Sequence, residues 1–199
     1  MAPSSEYRRR AREALDGSIF SAAWLLLLVA GLVVNAILGA SSIIFVGPLL
    51  LTGPLYAGFA VYTLHLIRRT PRRNDLGTLF SGFSTDFTGN LVLGLLQSVY
   101  LVLWSLLFVI PGIVKYYAYS MSYYIKADNP TLDANACIDQ SQKMMKGHKA
   151  ELFLLDLSFL GWIIVGALCF GVGTLWVDAY ITAAHASFYE DLRAQPQIV

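Results

Sequence analysis

Four ionisable side chains stand inside apolar stretches of this chain: Lys115, Asp156, Asp178 and His185. An ionisable group at the centre of a membrane helix costs about 2.5–3.5 kcal/mol on insertion scales, so such groups normally face the interior of a helix bundle and pair. Counting residues from the ends of the apolar stretches predicts an outer pair, Lys115 with Asp178, and an inner pair, Asp156 with His185. Such pairs could be purely structural, or they could carry a proton or an ion.

Tyrosines accompany Lys115 in the segment IPGIVKYYAYSMSYYIKADNP. Tyr116, Tyr119 and Tyr123 follow each other at i, i+3 and i+7, so on one continuous helix they would form a stripe that could line a polar cavity between the two pairs. Other interpretations remain open. The tyrosines could belong to an interfacial aromatic belt, and the long stem of Lys115 could carry its ammonium to the headgroups. Asp156 could be an interface residue, and His185 could be a packed, hydrogen-bonded histidine.

Motifs of known catalytic machinery are missing from the sequence. It contains no HExxH zinc motif, no GxSxG nucleophile turn and no GxxxxGK[ST] phosphate loop. The three histidines lie on different segments without ligand spacing, and Cys137 and Cys169 form no metal or redox motif. We therefore expect no catalytic residue, no metal and no cofactor, and a packing role for both cysteines.

The composition indicates an integral membrane protein. The 199 residues are 56% hydrophobic and 14% charged, with a mean hydropathy of +0.58, whereas soluble domains carry about 25% charged residues. The length fits one bundle of about six spans of ~20 residues each. The sequence thus predicts an all-α, polytopic membrane bundle that forms a single integral-membrane domain over residues 1–199.

Six apolar runs supply the predicted transmembrane helices, in three hairpins. The fourth and sixth runs are shorter than the ~20 residues that a straight span needs, so we expect the sixth to extend or bend. The runs are Ser18–Leu38, Ile43–Ile67, Asn90–Ile110, Ile113–Ile125, Phe153–Phe170 and Thr174–Phe188.

The distribution of basic residues predicts that both termini are cytoplasmic. Of the fourteen Lys and Arg residues, all except Lys115 then lie on the cytoplasmic side, where short loops retain positive charge. The turns predicted on the outer side, at 39–42, 111–112 and 171–173, carry no charge. A cleaved signal peptide is the alternative for the N-terminus, but the first apolar run exceeds the 7–15 residues of a typical signal-peptide core.

Three cytoplasmic segments complete the prediction. Residues 1–16 form a basic N-terminal helix, and residues 68–89 and 127–150 are interfacial. In the last segment apolar and small side chains recur at helical spacing, so an amphipathic helix capped by Thr131 and ended by Gly147 should lie on the membrane surface. Three lysines should sit over anionic headgroups, and two methionines should point into the acyl boundary or onto the bundle: Lys143, Lys146, Lys149, Met144 and Met145.

Several long strings resemble one bacterial membrane family. RRAREALDG, DLGTLFSGF, the stretch from NLVLGLLQSVY to YYIKADNP, QKMMKGHKAELFLLDLSFLGW and AHASFYEDL are similar to the family known as domain of unknown function 975. The resemblance covers nearly the whole chain. It implies a multi-span protein of the bacterial cytoplasmic membrane, and it implies no activity and no catalytic residue.

Two classes of function follow from these observations. The first is a non-catalytic module of the cytoplasmic membrane that acts in the envelope, in lipid interaction or beside another membrane protein. The second is a small transporter or channel that uses Lys115, Asp156, Asp178 and His185. A membrane enzyme ranks third. The expected partners are the lipid bilayer and a membrane protein or a second copy of the chain, and we expect no nucleic acid.

Overall fold

The structure is a computed structural model, and it describes residues 3–18, 20–41, 47–70, 75–168 and 172–195. Over these ranges the chain is helical and contains no strand. Several sequence predictions fall outside the described residues. They are the start of the second apolar run at Ile43, the charges of Arg72 and Arg73, the packing role of Cys169, the end of the fifth run at Phe170, and Gly171 of the predicted outer turn 171–173.

Eleven α-helices and one 3₁₀ helix make up the described part of the chain. Pro54 lies within α3, and the 3₁₀ helix Leu76–Phe80 precedes α4. The bounds are α1 Ser4–Ala14, α2 Ala22–Ser41, α3 Gly47–Ile67, α4 Ser81–Ser84, α5 Phe87–Leu107, α6 Val109–Tyr119, α7 Ser122–Asp128, α8 Ala134–Met144, α9 Lys149–Leu157, α10 Leu160–Leu168 and α11 Val172–Ala194.

Four segments of the described residues are long and apolar enough to cross a membrane. They are Ala22–Ser41, Leu50–Ile67, Phe87–Leu106 and Lys149–Ala167, and they correspond to the first, second, third and fifth predicted spans. The fourth predicted span, Ile113–Ile125, is not one helix, because α6 ends at Tyr119 and α7 begins at Ser122. The sixth lies within α11, which is longer than predicted. The number of six spans and their arrangement in hairpins stay predictions.

The chain divides into two compact units, and the assignment of a single membrane domain stays a prediction. Unit 1 comprises Met1–Val33, Tyr62–Leu76 and Ala150–Val199. In it α11 packs against both α1 and α10. The rings of Tyr7 and Phe188 lie 5.0 Å apart, and the Tyr180 hydroxyl donates to the backbone oxygen of Arg8. The predicted basic N-terminal helix is therefore present as α1, and its buried side rests on α11.

Unit 2 comprises Val34–Val61 and Gly77–Lys149. α5 packs against α6, and α8 packs against α5, α6 and α7. Glycines let α3 approach its neighbours closely: a Cβ on Gly53 would lie 2.0 Å from the backbone oxygen of Asn90, and one on Gly58 would lie 1.9 Å from that of Leu79. Any side chain at these positions would push the backbones apart.

Candidate functional site

The inner pair predicted from the sequence is present in unit 1. Asp156 lies on α9 and His185 on α11, and the distance between His185 Nε2 and Asp156 Oδ1 is 2.5 Å. Both side chains are partly buried. A carboxylate beside an imidazole can hold or pass a proton, although the same contact also serves as a simple structural tie. Its part in a polar pathway stays a prediction.

Lys115 and Asp178 belong to different units, and their pairing stays a prediction. In unit 2 the Lys115 ammonium donates to Gln142 Oε1 at 2.9 Å. It also lies 4.8 Å from the ring centre of Trp104 and 5.6 Å from that of Tyr119, distances at which a cation is attracted to an aromatic face. Lys115 thus links α6 to α5 and α8. In unit 1 the side chain of Asp178 is exposed.

The tyrosines of the predicted stripe lie on two helices and not on one, with Tyr116 and Tyr119 on α6 and Tyr123 on α7; that they line a polar cavity stays a prediction. Tyr116 is exposed, whereas Tyr119 is buried against Tyr100, with ring centres 6.3 Å apart. Tyr123 packs on Tyr56 at 5.7 Å. The stripe assumed a continuous helix, but the helix breaks between Tyr119 and Ser122.

Ser141 of α8 satisfies the backbone at this break. Its hydroxyl donates to the backbone oxygen of Ala118 at 2.8 Å and accepts from the backbone N–H of Met121 at 3.2 Å. Both groups are buried, where an unpaired polar group costs about 1–3 kcal/mol. One serine, twenty residues away in sequence, therefore makes the interruption stable.

Lys126 forms a site that the sequence analysis missed. The sequence predicts it only among the charges of the cytoplasmic side, whereas its side chain is buried and only 2% exposed. Its ammonium donates to Asp86 Oδ2 at 2.6 Å and to the backbone oxygens of Pro130 and Leu132, each at 2.7 Å. An ammonium has three donors, so all of them are used.

Asp86 joins this site to the start of α5. It is the N-cap of α5 and accepts from the backbone N–H of Gly89 at 3.0 Å. The hydrogen bond from Lys126, assisted by that from Gly89, holds the pKa of the Asp86 carboxyl below its usual value. A Cβ on Gly89 would lie 2.0 Å from Asp86 Oδ2 and 2.7 Å from Lys126 Nζ, so the site needs glycine there. We name Asp86, Gly89, Lys126 and the backbone oxygens of Pro130 and Leu132 the lysine knot.

The helix predicted in segment 127–150 is α8, with the predicted side buried. Two details differ. The N-cap is Asp133, which accepts from the backbone N–H of Asn135, rather than Thr131. Met144 and Met145 are buried in unit 2, so of the two alternatives they point onto protein and not into the acyl boundary.

The remaining features of this helix agree with the sequence pattern. Gly147 adopts a positive φ of 88° after the helix end, as a helix-terminating glycine does. Lys143 and Lys146 are exposed and Lys149 is half-buried; their location over headgroups stays a prediction. Cys137 is buried, and this burial raises the pKa of its thiol to about 11.

Ion pairs tie the N-terminal helix and the end of α3 to α11 in unit 1. Arg10 pairs with Asp191 and Glu6, and Arg68 pairs with Glu190 at 2.7 Å. Hydrogen bonds from Arg9 and Arg10 lower the pKa of Glu6 to about 2. Within the described ranges, no group of three His, Cys, Asp or Glu side chains could hold a metal ion.

The chain belongs to the family described as protein of unknown function (DUF975), whose model matches residues 1–116 and 107–196. The resemblance inferred from the sequence is therefore confirmed. No curated protein and no solved structure matches the chain. The family assignment brings no activity, and the function has to be argued from the side chains themselves.

Proposed function

We propose that this protein is a non-catalytic, multi-pass module of the bacterial cytoplasmic membrane, with both termini cytoplasmic, that acts through contact with lipid or with another membrane protein or a second copy of itself. The observation that carries the proposal is the apolar surface of the candidate spans. Large aliphatic side chains are exposed along α5, among them Val102, Leu103 and Leu106, the last of them 78% exposed. An exposed apolar surface of this kind supports contact with bilayer lipid or with a membrane partner.

The second support for the proposal is that the paired charged groups join helices to each other. Lys126 has all its donors occupied by acceptors within one unit, and Arg10 and Arg68 pair with carboxylates of α11. These groups hold helices together within their units. A scaffold explains them better than a reaction does.

A small transporter is the second candidate, and the Asp156–His185 contact favours it. An imidazole next to a carboxylate inside a helix bundle is a common element of proton relays. In that case the pair would exchange protons with both sides of the membrane. As a structural tie it would only join α9 to α11.

Ion and proton flux in proteoliposomes separates the two candidates. The full chain is reconstituted in vesicles of phosphatidylethanolamine and phosphatidylglycerol, with a pH-sensitive dye inside. The membrane-module proposal predicts flux at the level of protein-free vesicles. Flux above that level, lost in the double variant Asp156→Asn/His185→Gln that still folds, would replace the proposal with the transporter. The matched control is Thr182→Val, a change on α11 that removes only a hydroxyl bonded within its own helix.

A further inference from the structure

A basic cleft lies between α1, α10 and α11 in unit 1, and nothing above assigns it a role. It has a volume of about 280 Å³ and is lined by Ser5, Arg8, Arg9, Arg12, Trp162 and Tyr180. The lining contains three arginines and no acidic residue. Arg9 forms ion pairs with Glu6 and Glu13 within α1. Arg8 and Arg12 are therefore the positive charges available to a ligand.

Arg8 has an unused donor in this region. Its Nε is buried and has no hydrogen-bond partner among the described residues. Burying a donor of a charged group without a partner is costly, so an anion beside this guanidinium would stabilise its charge. Arginine presents its donors in a planar fork that matches the oxygens of a phosphate. The chemistry of the cleft therefore selects a phosphate group.

The other wall of the cleft is aromatic and continues into an apolar surface. Trp162 is 49% exposed, and the neighbouring α10 side chains Ile164 and Val165 are more than half exposed. The Arg12 guanidinium lies 5.9 Å from the ring centre of Tyr180. Arginine, tryptophan and tyrosine beside exposed aliphatic groups make up the usual composition of a membrane interface. A free phosphate would use only the basic half of this site, whereas a phospholipid would use both halves.

We propose that this cleft binds the phosphate of an anionic phospholipid, with the acyl chains along the exposed face of α10. The proposal rests on the proposed function, because it requires α10 to be in contact with the bilayer. Basic pockets between membrane helices are known to hold anionic headgroups.

Native mass spectrometry of the full chain in mild detergent tests the site with two probes, dioleoyl phosphatidylglycerol and dioleoyl phosphatidylcholine. We expect one phosphatidylglycerol to bind at least about tenfold more tightly than phosphatidylcholine, and the preference to disappear in Arg8→Gln/Arg12→Gln, because each lost charge weakens attraction to an anionic lipid several-fold. The matched control, Arg69→Gln/Arg193→Gln, removes the same charge from exposed positions of unit 1 that do not line the cleft and should keep the preference.

A second variant distinguishes the loss of lipid binding from a folding defect. Ser5→Glu puts a carboxylate on an exposed position of the cleft and near the start of α1, where acidic residues favour the helix. It should fold normally and lose the preference for phosphatidylglycerol. Three outcomes would overturn the proposal. The two double variants could lose the preference for phosphatidylglycerol equally, Ser5→Glu could keep it, or 10 mM inorganic phosphate could displace the lipid. Retention of the protein in the membrane after alkaline extraction would meanwhile leave the proposed function intact.

Discussion

Removal of the Asp86 carboxylate should destabilise unit 2 strongly, because it leaves the lysine knot with a buried, uncompensated charge. The Lys126 side chain is 2% exposed and that of Asp86 is 35% exposed. Removing one partner of a buried ion pair costs about 3–5 kcal/mol. The loss of an N-cap adds ~1 kcal/mol. The free energy of unfolding of Asp86→Ala should therefore fall by about 4–6 kcal/mol, with the lower end expected because water reaches Asp86.

Asp86→Asn separates the charge from the cap. Asparagine caps helices about as well as aspartate, so its bond from Gly89 should persist. The cost should therefore fall only by the ~1 kcal/mol of the cap, to about 3–5 kcal/mol with the lower end expected. The double variant Asp86→Asn/Lys126→Met removes both charges. It should be less destabilised than the sum of the single variants by ~1.5 kcal/mol or more, within the range for residues in contact.

The Cys137 thiol reports the opening of this region. It is buried next to the knot, and its Sγ lies 3.9 Å from the same Leu132 oxygen that accepts from Lys126. With Cys169 replaced by serine, the labelling rate of Cys137 by a maleimide dye measures how often α8 opens. The loss of about 4 kcal/mol expected for Asp86→Ala corresponds to labelling roughly a thousandfold faster.

Asp139→Ala is the matched control, because Asp139 is an exposed aspartate on α8. Its labelling rate should stay within about threefold of the parent, as for most surface substitutions. The account of the lysine knot is wrong if Asp86→Ala labels at the parent rate. It is also wrong if the effects of Asp86→Asn and Lys126→Met simply add.

Three further predictions concern single sites. The stability that the Asp86 charge contributes should be fully present above the ordinary aspartate pKa of about 3.9, and it should be lost as the pH falls through the lowered pKa of the folded state. The difference in thermal midpoint between the parent and Asp86→Asn should therefore shrink between pH 5 and pH 3. Ser141→Ala should lower the free energy of unfolding by about 2–4 kcal/mol, because it leaves two buried backbone groups unpaired. The control Ser187→Ala removes a hydrogen bond within one helix turn and should lower it by less than ~1.5 kcal/mol. Equal losses for the two variants in detergent unfolding would contradict the role of Ser141. Gly58→Ala should prevent the close approach of α3 and lower the thermal midpoint by several degrees, whereas a Cβ on Gly31 meets open space and should be tolerated.

Local periodicity predicted some elements of the structure well. The spacing of Ala134, Cys137 and Ser141 predicted the buried side of α8, because a helix repeats every 3.6 residues whatever it packs against. The apolar runs likewise predicted the four segments that could cross a membrane, since length and hydropathy are properties of the segment alone.

Features that depend on distant residues could not be predicted in this way. The break after Tyr119 is stable because Ser141 supplies hydrogen bonds from another helix, and this break divides the tyrosine stripe between α6 and α7. Lys126 is buried because Asp86, forty residues earlier, reaches it. The Asp-x-x-Gly capping pattern at the start of α5 was the available sequence signal for this site. It predicts the N-cap, but it does not predict which lysine pairs with Asp86.

The most direct test of the central claim, that this chain spans the membrane, uses two single cysteines in a chain whose own cysteines are replaced. One stands at Phe108, an exposed residue between α5 and α6, and the other at Asn135 on the exposed side of α8. An impermeant maleimide is added to intact spheroplasts and, separately, to opened membranes. We predict labelling of residue 108 in both samples and of residue 135 only after opening. Labelling of both positions in intact spheroplasts, or of neither until the membranes are opened, would contradict a membrane-spanning α5.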